Sequence, residues 1–191
     1  MIDLDKIKAI DIHTHAEVSC NDPEDPIMGK FLDAASTYFK ADRKRPTIPE
    51  TIEYYREQQI AFVMFTVDME SGTGIKRIRN EEIAEFANDN SDIMMAFASI
   101  DPHKSKFGAI EARRMIEDYG VKGFKFHPPI QNFHPYDPMA WPMLEIAPCI
   151  IPRLSTIAFR PTKAASRKAA AAATPAPGTG PGPAAGFGFA P

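Results

Sequence analysis

The residues whose types and spacing could do chemistry come first at Asp11-Ile12-His13-Thr14-His15. Read with a period of two, Ile10, Ile12 and Thr14 point to one side of a strand, and Asp11, His13 and His15 to the other. Residues i and i+2 of a strand are about 6.5 Å apart along the backbone, so both imidazoles can converge on one ion just past the strand end. Imidazole nitrogen binds zinc and other divalent transition metals, and a catalytic site takes about three protein ligands with one position open. The pair therefore calls for ligands from elsewhere in the chain. A pair of histidines satisfied by backbone groups is the plainer alternative, but an HxH on a buried N-terminal strand with an acid beside it favours metal.

A second group lies in Val121-Lys122-Gly123-Phe124-Lys125-Phe126-His127-Pro128. Lys125 and His127 share parity on this strand, and Gly123 keeps that face open for a neighbour or a ligand. Two readings stay open for them: a substrate-binding pair, or an ion-paired lysine beside a histidine capped locally before Pro128. Asp68, Asp101 and His103 also follow apolar runs, and helix capping or a solvated turn is expected for each. Ser71-Gly72-Thr73-Gly74 reads as an ordinary flexible turn, since a single GxG is weak support for phosphate binding. His134 is expected in an exposed loop, and Trp141 as a packing residue.

The elements that must position these groups alternate. The first strand is followed by a polar connection over 20–28 and an amphipathic stretch over 30–40, with Phe31, Leu32, Ala35 and Phe39 at helical spacing. Thr47-Ile48-Pro49-Glu50 is a capping-box start for a second helix carrying Ile52, Tyr55 and Gln59. The apolar run 61–68 reads as a buried parallel strand. Asn80 is expected to cap a helix over 81–90, 94–101 to form the third strand, and 106–119 to form a helix ended by Gly120 at C′. Strand 121–128 is the fourth. Alternation of this kind calls for parallel strands joined by right-handed crossovers, with function at the strands' carboxyl ends.

Composition narrows the setting. With 191 residues, 44% hydrophobic composition and a formal net charge of -3, the chain can build a core and offers nothing to attract nucleic acid. Two cysteines, Cys20 and Cys149, are too few for a disulfide framework and suit free thiols in a reducing compartment. The N-terminus lacks the regions of a signal peptide, and no run approaches the roughly 20 apolar residues of a membrane span. A soluble cytoplasmic protein with a small-molecule substrate, and neither nucleic acid nor membrane as partner, is the expectation.

Ile10-Asp11-Ile12-His13-Thr14-His15, Ala98-Ser99-Ile100-Asp101-Pro102 and above all Gly120-Val121-Lys122-Gly123-Phe124-Lys125-Phe126-His127-Pro128 resemble the amidohydrolase-related group of the amidohydrolase superfamily. That group includes metal-dependent hydrolases and decarboxylases of aromatic and muconate-semialdehyde acids. The likeness covers about residues 7–145. It implies a (β/α)₈ TIM barrel, with His13 and His15 as ligands of a divalent metal, zinc by expectation. Lys125 and His127 could then orient an anionic substrate. Family members complete the site with histidines from the fifth and sixth strands and an aspartate from the eighth, so no general acid or base is assignable here. Hydrolase and decarboxylase (lyase) chemistry both stay open.

The chain changes character before those strands. Residues 146–191 contain no Asp or Glu and five basic residues, and 13 Ala, 8 Pro and 5 Gly dominate them. Pro148 and Pro152 are expected to break the fourth helix begun at Trp141. We expect 1–145 to be a partial barrel of about four βα units and 146–191 to be a disordered tail. Its origin is expected to be a frameshift: with GC-rich codons, Ala173-Thr174-Pro175-Ala176 can be encoded so that a shifted frame reads His-Thr-Gly, which resembles the family's continuation. A natural flexible tail is the alternative. Little turnover is then expected of this truncated chain, and self-association of a non-enzymatic half barrel through its open strand edges is the competing function.

Overall fold

The computed structural model describes residues 1–40 and 45–150; of the expected tail, residues 146–150 belong to a helix and 151–191 lie outside the described residues. Strands β1 (Ala9–His15), β2 (Ile60–Phe65), β3 (Met94–Ala98) and β4 (Gly123–Phe124) form one parallel sheet in sequence order. The helices are α1 (Pro26–Phe39), α2 (Ile48–Gln58), the single turn α3 (Glu70–Thr73), α4 (Asn80–Asp89), α5 (Ser105–Glu117), the single turn α6 (Pro128–Gln131) and α7 (Trp141–Ile150). Parallel neighbours in chain order, each reached through a helix, make a curled α/β half barrel, as the alternation predicts.

The sheet has two differently occupied faces. On the helix side Phe62, Met64, Met94, Ala96 and Ala98 join Ile48 and Ile52 of α2, Ile83, Ala84 and Ala87 of α4, and Met115 of α5 in one buried cluster. Each fully buried Phe, Met or Ile there contributes about 1.5–3 kcal/mol. On the opposite face Phe65 meets His13, His15 and Lys125. Burial on both faces explains why β2 reads as one apolar run.

Local signals hold where the chemistry is unambiguous. Thr47 Oγ1 accepts from the Glu50 N–H while the Glu50 carboxylate accepts from the Thr47 N–H, closing the capping box. Gly120 has φ +68° after α5, a conformation suited to glycine. Gly123 is required by packing, because an added Cβ would lie 2.6 Å from the Phe97 ring.

Four expectations give way. Asn80 does not cap α4; it is buried inside the first turn, donating to the Ser99 carbonyl (2.8 Å) and accepting from the Ser99 N–H (2.9 Å), which ties α4 to the end of β3. The fourth strand is two residues long rather than eight, since β3 is its partner and ladder pairing runs only from Gly123 to Phe124. Helix α7 carries through Pro148; a proline there forfeits one main-chain bond, to the carbonyl of Leu144. The fourth departure, in β1, shapes the site.

Candidate functional site

Strand β1 is not regular. Its register with β2 runs Asp11↔Phe62 and then Thr14↔Met64, so two residues, Ile12 and His13, stand opposite Val63 alone. A bulge of this kind reverses side-chain parity. Asp11 therefore does not share a face with His13 and His15, as simple alternation predicts. Its carboxylate accepts from the Tyr55 hydroxyl of α2 (2.6 Å), on the helix side, while both imidazoles turn to the other side against Phe65.

There the two rings converge. Nε2 of His13 and Nε2 of His15 are 3.1 Å apart, with ring centroids 5.2 Å apart. Without a metal, one Nε2–H donates to the other ring's lone pair. Burial, then the charges of His13, Lys125 and His127, push the His15 pKa down to about 4. The shift favours the neutral form of His15, in which one ring nitrogen keeps a free lone pair.

Lys125 follows directly on β4, its N–H donating to the Ala98 carbonyl (2.7 Å). Its ammonium lies 4.7 Å from the centre of the Phe65 ring and 3.5 Å from His13 Nε2, and partial burial lowers its pKa. Phe65 is thus a shared floor for His13, His15 and Lys125. Sequence reasoning missed it because a phenylalanine ending an apolar strand carries no sign of the face it takes.

His127 is held from behind. Its N–H donates to Gln131 Oε1 (2.6 Å), and the Gln131 side-chain amide donates to the Asp68 carbonyl (2.8 Å). Gln131 is fully buried, so its one side chain bridges the chain beyond β2 to the chain beyond β4. His103 adds the third strand, its Nε2 lying 3.0 Å from the Gln131 carbonyl. His127 Nδ1 is buried and, with Arg77 Nε, has no hydrogen-bond partner among the described residues.

Asp68 and Asp101 are fully buried rather than solvated. Asp101 does cap the turn 102–104, accepting from the His103 N–H (2.9 Å). Asp68 accepts from Lys104 Nζ (2.6 Å) and from the Asp101 N–H (3.0 Å), with Arg77 at 3.8 Å. These carboxylates brace the strand ends and are not free to ligate. His134 is exposed as expected, and Trp141 remains 54% exposed rather than packed.

His13, His15, Lys125 and His127 all line one cavity of about 870 Å³ at the carboxyl ends of the strands. A family model described as Amidohydrolase matches residues 10–148. The chain belongs to the amidohydrolase family. A comparison with curated proteins gave no match. The amidohydrolase match spans all four strands, so the resemblance carried by the HxH and by the β4 segment is that of the whole described sheet. Members of this family usually bind a metal. Two zinc–nitrogen bonds of about 2.0–2.1 Å at a near-tetrahedral angle separate their nitrogens by about 3.3 Å, so the 3.1 Å between the His13 and His15 nitrogens suits a shared ion. Among the described residues no group of three or more His, Cys, Asp or Glu side chains is placed to hold one. Nor is any described helix long and apolar enough to cross a membrane.

Proposed function

We propose that this amidohydrolase domain holds a divalent ion, zinc first, on His13 and His15, and takes a small carboxylated or acyl substrate. The convergence of the two Nε2 atoms at 3.1 Å is the observation that carries this reading. When bound, such an ion polarises a carbonyl or carboxylate, or lowers the pKa of a bound water towards neutrality.

The chain's own residues supply the rest. Lys125, on the Phe65 ring and beside His13, presents a cation to the anionic end of a substrate. His127, lining the same cavity, offers a further polar contact. His15, kept neutral, is a ligand rather than a competing cation. No described residue is assigned as general base, so hydrolysis and decarboxylation both remain within the proposal. With two protein ligands among the described residues, binding is weak and turnover low. We also propose that residues 1–145 form the barrel portion, that 146–191 are a separate tail arising from a frameshift, and that the protein is cytoplasmic.

Zinc titration by calorimetry on the wild type and on His15→Ala, with an esterase and decarboxylase screen, tests the reading. Weak binding lost in His15→Ala, without turnover, is expected. Absence of binding refutes the metal pair, and tight stoichiometric binding with turnover refutes the truncated enzyme. Reading the gene in all three frames tests the origin of the tail.

A second reading is favoured by Ile10 and Ile12, 43% and 59% exposed on β1. Apolar side chains on an outer strand invite pairing with a second copy. A discrete dimer by light scattering supports that reading, and a monomer rejects it.

A further inference from the structure

A regular β1 would carry His13 and His15 to the wrong side. Ile10 pairs with Ala61 and Asp11 with Phe62, and the Phe62 ring stacks on Tyr55 of α2 with centroids 4.4 Å apart. Strict alternation from Asp11 would place His13 and His15 on that same side, beneath α2. The bulge at Ile12–His13 turns them to the cavity instead. What holds the bulge therefore holds the site.

Three hydrogen bonds converge there. The His13 N–H, inside the bulge, donates to Asp11 Oδ1 (2.9 Å). Asp11 Oδ2 accepts from the Tyr55 hydroxyl (2.6 Å). With that proton committed, the Tyr55 oxygen accepts from Thr14 Oγ1 (3.2 Å). One phenol oxygen on α2 thus ties together the residue before the bulge and the residue after it, while the carboxylate it fixes satisfies the displaced N–H between them. The Tyr55 ring is itself immobilised, stacked on Phe62 and edge-on to Tyr54.

We propose that Tyr55 is a positioning residue for the candidate metal pair: through Asp11 and Thr14 it fixes the bulge that turns His13 and His15 together into the cavity, against Phe65. Its consequence for metal rests on the reading of His13 and His15 as ligands; the geometric part does not. Asp11, with both oxygens engaged on the helix side, is a brace and not a third ligand. Partners behind metal ligands typically change affinity by about 10- to 100-fold when removed.

The test uses the full chain with Tyr55→Phe, which keeps the ring and its stacking and removes only the oxygen, and Thr14→Val, which removes one tie at constant shape. Three measurements are made: the thermal midpoint, the nuclear Overhauser contact of the His13 and His15 rings with the Phe65 ring without metal, and titration with Zn²⁺ and Co²⁺. In Tyr55→Phe the ring contact weakens or disappears, Zn²⁺ affinity drops at least about 10-fold, and the Co²⁺ absorption spectrum changes, with the thermal midpoint little moved; Thr14→Val lies between. A lowered midpoint with unchanged ring contact, affinity and spectrum means that Tyr55 only stabilises the fold, and overturns the proposal. If the wild type binds neither ion, the metal reading fails, and the ring contact alone decides whether Tyr55 positions the pair.

Discussion

The side-chain amide of Gln131 accepts the His127 N–H at 2.6 Å while being fully buried. The same amide donates to the Asp68 carbonyl at 2.8 Å, so two backbone groups depend on one side chain. Gln131→Leu leaves both without partners, and a buried unsatisfied group costs about 1–3 kcal/mol. We expect a loss of about 2–6 kcal/mol in urea unfolding, and faster amide exchange at His127. Gln131→Glu retains the acceptor for His127 but sets a buried carboxylate against the Asp68 carbonyl, so at neutral pH its loss is expected to be at least as large, shrinking as acid protonates the side chain and restores a donor. A smaller loss at neutral pH would show that the bond to the Asp68 carbonyl contributes little.

His15 gives the site a defined pH response. Its native pKa lies at about 4, held down first by burial and then by the nearby His13, Lys125 and His127, against about 6.5 in an unfolded chain. The unfolded state thus binds more protons between these values, and stability falls as pH drops from about 6.5 towards 4. Titration of the His15 ring proton by nuclear magnetic resonance is expected to show a midpoint well below that of a free histidine. A midpoint near the free value would remove the case for a neutral His15.

Gly123 and Phe97 form a tight pair across β3 and β4, because a Cβ at 123 would lie 2.6 Å from the Phe97 ring. Gly123→Ala is expected to destabilise by about 1–3 kcal/mol through overpacking. Adding Phe97→Leu makes room for the methyl, so the double variant loses less than the sum of the two single changes. Chemical unfolding of the four proteins measures this, and simple additivity would mean that the backbone moves instead.

Much of this architecture was legible because it depends on short-range rules. Alternating apolar runs and helical stripes gave the βα order, the Thr47–Glu50 pattern gave the start of α2, and the HxH spacing gave two imidazoles on one face. What was not legible depends on contacts between distant parts of the chain. The face taken by Asp11 is set by Tyr55, 44 residues later, and a bulge leaves no composition signal within five residues. Asn80 looked like a cap because asparagine favours caps, yet its amide is matched to the backbone of Ser99. Asp68 and Asp101 looked like solvated turn acids because carboxylates usually are; their burial follows from Lys104 and from the backbone N–H groups of Ser71, Asp101 and His103.

Asp68 offers the sharpest test of how the strand ends are braced. It is fully buried, with Lys104 Nζ at 2.6 Å and Arg77 at 3.8 Å. Breaking a buried pair by removing one partner typically costs about 3–5 kcal/mol, because the other charge is left uncompensated. Lys104 is a quarter exposed and reaches Glu70 at 3.7 Å, so it can turn towards water and Glu70 when Asp68 is neutral. Asp68→Asn is therefore expected at the lower end of that range, about 3 kcal/mol. Lys104→Met leaves the fully buried carboxylate with Arg77 and the Asp101 N–H and no route to water, and is expected to cost more, towards the upper end of that range. Asp68→Asn with Lys104→Met together should cost less than the two added, since Asp68→Asn removes the charge that Lys104→Met strands. Urea unfolding of the cycle measures the coupling, and a coupling near zero would mean that Asp68 is held by Arg77 and the backbone rather than by Lys104.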